Sequence, residues 1–309
     1  MLHLAIMAMM VKEKIKMHKI GQYQNGNYVV SIFSDGTKIR KTDDDKFIPA
    51  FSECCDVKIT DKCDGGCPFC YEGCTVNGKH GDLNAKFLDN LHPYTELAIN
   101  GNDLTHPDLV PFLERMKKQK VFVSMTVNQK HYERYFDFIQ ELSRRKLIYG
   151  IGISLTDANP DFIKLVQAIP NTVIHVINGI LTPEKVSILS DNDLKMLILG
   201  YKRMCRGEEY YQKESDDIIK NQQWLKDNLE EVIKHFKVVS FDNLSIEQLD
   251  VRRLMTDEEW DRFFMGNDAE FTFYIDLVEK KFGKNSLATE RFDLMDNIDD
   301  MFNKIRGSK

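Results

Sequence analysis

Six of the seven cysteines fall between Cys54 and Cys74, and only Cys205 lies downstream. The tightest group is Cys63-Asp64-Gly65-Gly66-Cys67-Pro68-Phe69-Cys70, a C-x3-C-x2-C spacing. Two adjacent glycines and a proline let the backbone turn sharply enough for three thiolates to converge on one centre. A disulfide framework would spread its staples more widely and use an even number of cysteines. Crowding in a chain whose start, Met1 to Met10, lacks the leading positive charge of an export signal reads instead as thiolates gathered around a metal. Three chemistries suit such a set. The first is an iron–sulfur cluster on Cys63, Cys67 and Cys70, the second a zinc knot completed by Cys74, and the third a ferredoxin-like electron carrier on the same four thiolates.

The surrounding elements choose among these. Residues 18 to 42 alternate in the β manner and are broken by Asn25-Gly26 and Asp35-Gly36, which predicts a three-stranded meander. From residue 53 short strand-like runs alternate with helical ones, the pattern of parallel strands joined by crossover helices. The predicted strands are Asp56 to Thr60, Glu96 to Asn100, Val121 to Val127, Tyr149 to Leu155, Thr172 to Ile177 and Lys195 to Leu199. Between them lie helices such as Pro107 to Lys118, with Leu109, Phe112, Leu113 and Met116 on one face. The fold class is therefore α/β: a partial (β/α)6 TIM-type barrel over residues 51–205, preceded by the meander at 1–50. An α+β extension over 206–309 closes the barrel, with a helix at Lys213 to Phe236, strands at Lys237 to Phe241 and Phe271 to Leu277, and a terminal helix at Phe292 to Ile305. Zinc knots seldom sit inside a strand-loop-helix unit followed by five more β/α units, and electron transfer needs no barrel.

With Phe69 just before the last cysteine, this stretch resembles the signature of the radical S-adenosylmethionine (SAM) superfamily. The resemblance covers roughly residues 53–205. It implies that Cys63, Cys67 and Cys70 hold one 4Fe-4S cluster whose fourth iron chelates the amino and carboxylate groups of SAM. Reductive cleavage then gives methionine and a 5′-deoxyadenosyl radical that abstracts hydrogen from a substrate. Leu97 to Asp103, LAINGND, stands where the family has its Gly-Gly-Glu-type loop for the SAM amino group. Gly101 is kept, while Asn100, Asn102 and Asp103 replace the usual glycines and glutamate. Thr126 to Gln129 resembles the family's Thr-Asn-Gly strand ending, which makes Asn128 a cofactor contact, and Ser154 falls where the ribose or carboxylate is met. Strand C-termini are where barrel active sites are built. Phe69, Asn100, Gly101, Asn102, Asp103, Asn128 and Ser154 are thus the expected SAM-binding set.

The single cysteine after Cys74 predicts one cluster and a C-terminal region that shapes a substrate pocket. The substrate class stays open between a peptide or protein side chain and a small metabolite or nucleotide. An electron donor such as flavodoxin or ferredoxin is implied as a partner. The 42 basic and 48 acidic residues of the 309 are interspersed, net charge −6, so no broad cationic surface indicates nucleic acid or an anionic membrane. No apolar run reaches the length of a spanning helix, and the expected location is the cytoplasm. The order of the first residues also suits a true start at Met7, Met9 or Met10. Cys54 and Cys55 read as core residues, Cys74 and Cys205 as buried structural thiols. His80 reads as a candidate contact for substrate or SAM, His106 as a loop residue, and Asp242, Asp250 and Asp276 as caps or surface groups.

Overall fold

The computed structural model describes residues 18–100 and 103–307, with Asp103 by its backbone alone. The alternative start methionines lie outside the described residues. Strands β1 (Lys19–Asn25), β2 (Tyr28–Phe33) and β3 (Lys38–Lys41) form the expected antiparallel meander. A second sheet contains β4 (Cys54–Lys58), β5 (Glu96–Asn100), β6 (Phe122–Asn128), β7 (Gly150–Ser154), β8 (Thr172–Ile177), β9 (Lys195–Leu199), β10 (Val238–Phe241), β11 (Thr272–Asp276), β12 (Lys281–Gly283) and β13 (Phe292–Asp293). Its spatial order is β10-β9-β8-β7-β6-β5-β4-β11-β12-β13. The six strands expected from sequence are all present and run in consecutive order. Two more parallel strands, β10 beside β9 and β11 beside β4, raise the parallel run to eight. The C-terminal residues therefore extend the sheet at both sides, and the expected count of six is corrected. Among the described residues β10 and β13 are edges, so hydrogen bonding does not close the sheet.

Among the described residues nine α-helices cross between or follow these strands: α1 (Leu109–Lys118), α2 (Gln129–Arg134), α3 (Phe136–Arg144), α4 (Pro160–Ala168), α5 (Pro183–Leu189), α6 (Arg206–Lys234), α7 (Asn243–Leu249), α8 (Asp257–Phe263) and α9 (Ile298–Gly307). Several of their starts are encoded locally. The Asn159 and Thr182 side chains accept backbone N–H groups at the starts of α4 and α5, each followed by proline. Thr256 and Glu259 form a reciprocal box at α8. Asp242 caps α7 and Asp250 takes a left-handed conformation at its end, as expected of capping residues. Two boundaries differ from expectation. Helix α6 begins at Arg206 rather than Lys213, across a kink at Glu214, and Phe292 pairs in β13 while the terminal helix starts at Ile298.

Side chains alternate across a strand, so residues in register share a face. On the helix-covered face lie Val57, Ile99, Met125, Ile153, Val176, Ile198, Phe241 and Ile275, all in the main hydrophobic core. Each contributes on the order of 1.5–3 kcal/mol on burial. On the other face, in matching register, lie Asp56 and Lys58, Ala98 and Asn100, Thr126 and Asn128, Gly152 and Ser154, and Tyr274 and Asp276. A barrel interior is ordinarily filled by branched aliphatic residues. Along β4, β5 and β7 this lining is polar or small, while on β8 and β9 Val173, Leu197 and Leu199 form an apolar patch.

The sheet is curled, because loops following β4 and β9 touch although four strands separate them: Arg206 Nε donates to Cys67 O at 3.1 Å. The meander covers the strands' N-terminal ends. Tyr149 Oη donates to Phe33 O at 2.5 Å, Lys195 Nζ to Asp35 O at 2.9 Å, and Arg40 pairs with Glu53 at 2.7 Å. Between meander and sheet a cavity of about 10 Å³ remains, room for one water. The meander thus covers the lower end and leaves little space beneath the sheet.

Candidate metal centre and cofactor face

The cysteine loop leaves the C-terminal end of β4 and is pinned at its base by backbone pairing. Cys63 N donates to Thr75 O at 2.7 Å and Thr75 N to Asp61 O at 2.9 Å. Within the loop Gly66 takes φ +62°, a conformation glycine adopts without penalty. Cys63, Cys67 and Cys70 are half-buried. Among the described residues no three His, Cys, Asp or Glu side chains close onto a point holding a single metal ion. Thiolates of a cubane cluster bind different irons, so they need not.

Donors surround the sulfurs, which is what thiolate ligands of a cluster require. Gly65 N–H points to Cys63 Sγ at 3.3 Å, and Asn128 Nδ2 donates to Cys67 Sγ at 3.3 Å. Arg206 spans the loop, with Nε on Cys67 O and Nη1 on Cys74 O at 2.9 Å. The Cys74 thiol donates to Cys70. With the backbone N–H groups of Cys74 and Glu72 and the charge of Arg206, it holds Cys70 down to about 6. Cys74 is correspondingly raised, while burial raises Cys63 and Cys67. We assign the anion of the Cys70–Cys74 pair to Cys70, because the backbone donors aim there.

Two residues of α2 fix the motif from the side. His131 Nε2 meets Asp64 Oδ1 at 2.6 Å and Arg134 meets Oδ2 at 2.7 Å, which holds the Asp64 carboxyl down to about 2. Asp64 lies within the motif, yet nothing in the sequence pairs it with α2.

The expected SAM-binding residues distribute as follows. Phe69 is half-buried and meets Tyr210 edge-on at 5.9 Å. Asn100 ends β5 on the lining face, and its buried Oδ1 has no hydrogen-bond partner. Such an orphaned acceptor suits an ammonium donor. Gly101, Asn102 and the Asp103 side chain lie outside the described residues. Asn128 and Ser154 are register partners at the ends of β6 and β7, on the same face. Asn128 also caps α2, accepting from Lys130 N at 2.9 Å. Three of the seven, Asn100, Asn128 and Ser154, thus end strands on the lining face, Phe69 lies in the cysteine loop itself, and Asp103 opens the short turn after β5.

Sequence reasoning missed several groups on this face. Lys58 pairs with Glu72 and Asp276 at 3.3 Å each, so Asp276 is a buried ion-pair partner as well as a turn cap. His175 is buried against Gly152, where a Cβ would stand 2.1 Å from the ring. Burial keeps its imidazole neutral, pushed down to about 3, and its Nε2 lacks a partner. His80 bonds Thr60 Oγ1 at 2.9 Å and meets His106 edge-on, while His106 is held by Gly81 O. Cys55 joins the core and Cys54 turns to the lining. Cys205 is exposed, contrary to the expectation of a buried thiol; it precedes α6 with a positive φ of +46° and lies beside Gly73.

No protein-family model matches the chain, and no curated protein matches it by sequence. Solved structures do match. SuiB of Streptococcus suis bound to its precursor peptide SuiA aligns with TM-score 0.50 and 15% identity, covering 76% of this chain and 60% of SuiB. SuiB bound to S-adenosylmethionine aligns with TM-score 0.50 and 13% identity, covering 80% of this chain and 64% of SuiB. The two proteins share a fold. This chain spans less than two thirds of SuiB's length, and at this identity the likeness concerns architecture alone. No helix among the described residues is long and apolar enough to cross a membrane.

Proposed function

We propose that this chain is a radical SAM enzyme, its curled sheet a partial TIM-type barrel carrying one 4Fe-4S cluster on Cys63, Cys67 and Cys70. The observation that carries the reading is the C-x3-C-x2-C loop, leaving the first strand of the parallel series and furnished with N–H donors to sulfur. When bound, cluster and cofactor supply an electron and a 5′-deoxyadenosyl radical able to abstract hydrogen from a substrate. The chain's own residues bind and orient. Asn100 Oδ1 accepts from the cofactor's ammonium, with Gly101, Asn102 and Asp103 completing that loop, and Ser154 meets the ribose or carboxylate. Phe69 lies along the cofactor's path. The meander covering the lower end limits the entry of water from beneath.

SuiB's ligands, S-adenosylmethionine and a precursor peptide, support the same cofactor here and favour a peptide or protein substrate over a small metabolite. Electrons come from a flavodoxin- or ferredoxin-type donor. The test is 5′-deoxyadenosine formation by anaerobically reconstituted protein given SAM and dithionite, against a variant carrying Cys63→Ala, Cys67→Ala and Cys70→Ala. Product from the wild type alone is expected. Well-loaded protein that neither cleaves nor binds SAM would overturn the reading in favour of an electron carrier.

A further inference from the structure

Two cations lie over Tyr71 and Tyr274 with no carboxylate of their own among the described residues. Lys202, in the loop after β9, is buried at 8% exposure. Its Nζ donates to Ser286 Oγ at 3.0 Å and lies 4.1 Å from the centre of the Tyr71 ring. Arg291 donates through Nη2 to the backbone O of the same Ser286 at 2.8 Å and stacks over Tyr274 at 4.7 Å. Arg291 Nη1 is buried without an acceptor. Among the described residues neither forms an ion pair, whereas neighbouring Lys58 holds two carboxylates. A buried ammonium and guanidinium sharing one serine are poorly compensated. Both cations are tied to Ser286, one through its hydroxyl and the other through its backbone carbonyl, and an ammonium and a guanidinium held at one residue are the donors a carboxylate takes.

The anionic side of the same cluster is also incomplete. Glu72 Oε2 takes Lys58 at 3.3 Å and faces Tyr274 Oη at 3.5 Å, but Glu72 Oε1 is buried with no donor. Tyr71 adjoins Cys70, so the cluster borders the cysteine loop. We propose that Lys202 and Arg291 receive an α-carboxylate while Glu72 Oε1 accepts from the nitrogen beside it. The ligand is then an amino-acid head group, either of a free amino acid or of a peptide C-terminus. This rests on the reading above for its connection to catalysis, and on Lys202, Arg291 and Glu72 alone for binding. Ser286 Oγ holds the carboxylate's place at Lys202 until the ligand enters.

The test uses ligand-detected NMR on the full-length protein, as purified and after anaerobic reconstitution. The probes are alanine, N-acetylalanine and N-acetylalanine amide. Binding of either acid, with none of the amide, is expected. Preference for alanine identifies a free amino acid, and preference for N-acetylalanine a C-terminus. Lys202→Met should weaken the preferred acid by at least about tenfold, as expected for a lost charged hydrogen bond. Ser286→Ala, which removes the competing hydroxyl, should tighten it. Equal binding of the amide, unchanged affinity in both variants, or displacement of the probe by SAM would overturn the inference. SAM cleavage without acid binding refutes this inference alone, and acid binding without SAM cleavage refutes the radical SAM reading alone.

Discussion

Arg206 joins the two ends of the cysteine loop to the start of α6, and its removal has a calculable cost. Arg206→Met keeps the stem and deletes two bonds from a charged donor to the carbonyls of Cys67 and Cys74. Such bonds contribute about 1.5–3 kcal/mol each when dry. The side chain is only half-buried, and water replaces part of what is lost, leaving about 2–3 kcal/mol for the pair. For a chain of this length each kcal/mol moves the unfolding midpoint by about 2 °C, so a fall of about 4–6 °C is expected. Differential scanning calorimetry of metal-free, reduced protein measures it without invoking the cluster. Arg206→Lys offers one point charge in place of a fork and should recover about half. A midpoint for Arg206→Met within about 1 °C of wild type would show that the loop is held by its backbone turns, and refute the reasoning.

Other outcomes follow from the lining face. Gly152→Ala places a Cβ 2.1 Å from the His175 ring and should cost about 1–3 kcal/mol, as overpacking does. A His175→Ala background should remove most of that cost in a double-mutant cycle by urea unfolding. His175 itself is held neutral to about 3, so its folded value is depressed and acid favours the unfolded state, which takes up the proton below about 6.5. Between pH 7 and pH 5 wild type should therefore lose about 2 kcal/mol relative to His175→Gln, and parallel stability curves would contradict this. Asn128→Asp replaces an N–H donor with a carboxylate 3.3 Å from Cys67 Sγ. It should lower iron retained after reconstitution, with Asn128→Ala intermediate; iron content equal to wild type would remove Asn128 from the sulfur's environment.

The parallel series was readable because buried parallel strands are short apolar runs bounded by turn residues. Glu96–Asn100, Thr172–Ile177 and Lys195–Leu199 match the expected strands residue for residue. The first strand, expected over Asp56 to Thr60, runs Cys54–Lys58, because its bounds are set by pairing with β5 and β11 from Cys54 onward, which the local sequence does not state. Helix α6 begins before the expected Lys213 for a different reason: Cys205 precedes it with φ +46° and no side-chain cap, so the sequence carries no start signal there. The cysteine loop carries its own turn residues and was legible. Its supports were not, since Arg206 meets Cys67 across 139 residues and Lys202 meets Ser286 across 84. Such pairings depend on how the sheet curls, which local periodicity does not encode.

The division of each strand into an apolar and a polar side separates two kinds of inheritance. Substitutions at Ile99, Met125 or Ile153 disturb what holds the sheet to its helices, and selection on stability restrains them. Substitutions at Ala98, Thr126 or Ser154, one residue away along the same strands, change the furnishing of the lining face. A lineage built on this frame can therefore be refitted for new chemistry by alternate residues while the frame itself stays put.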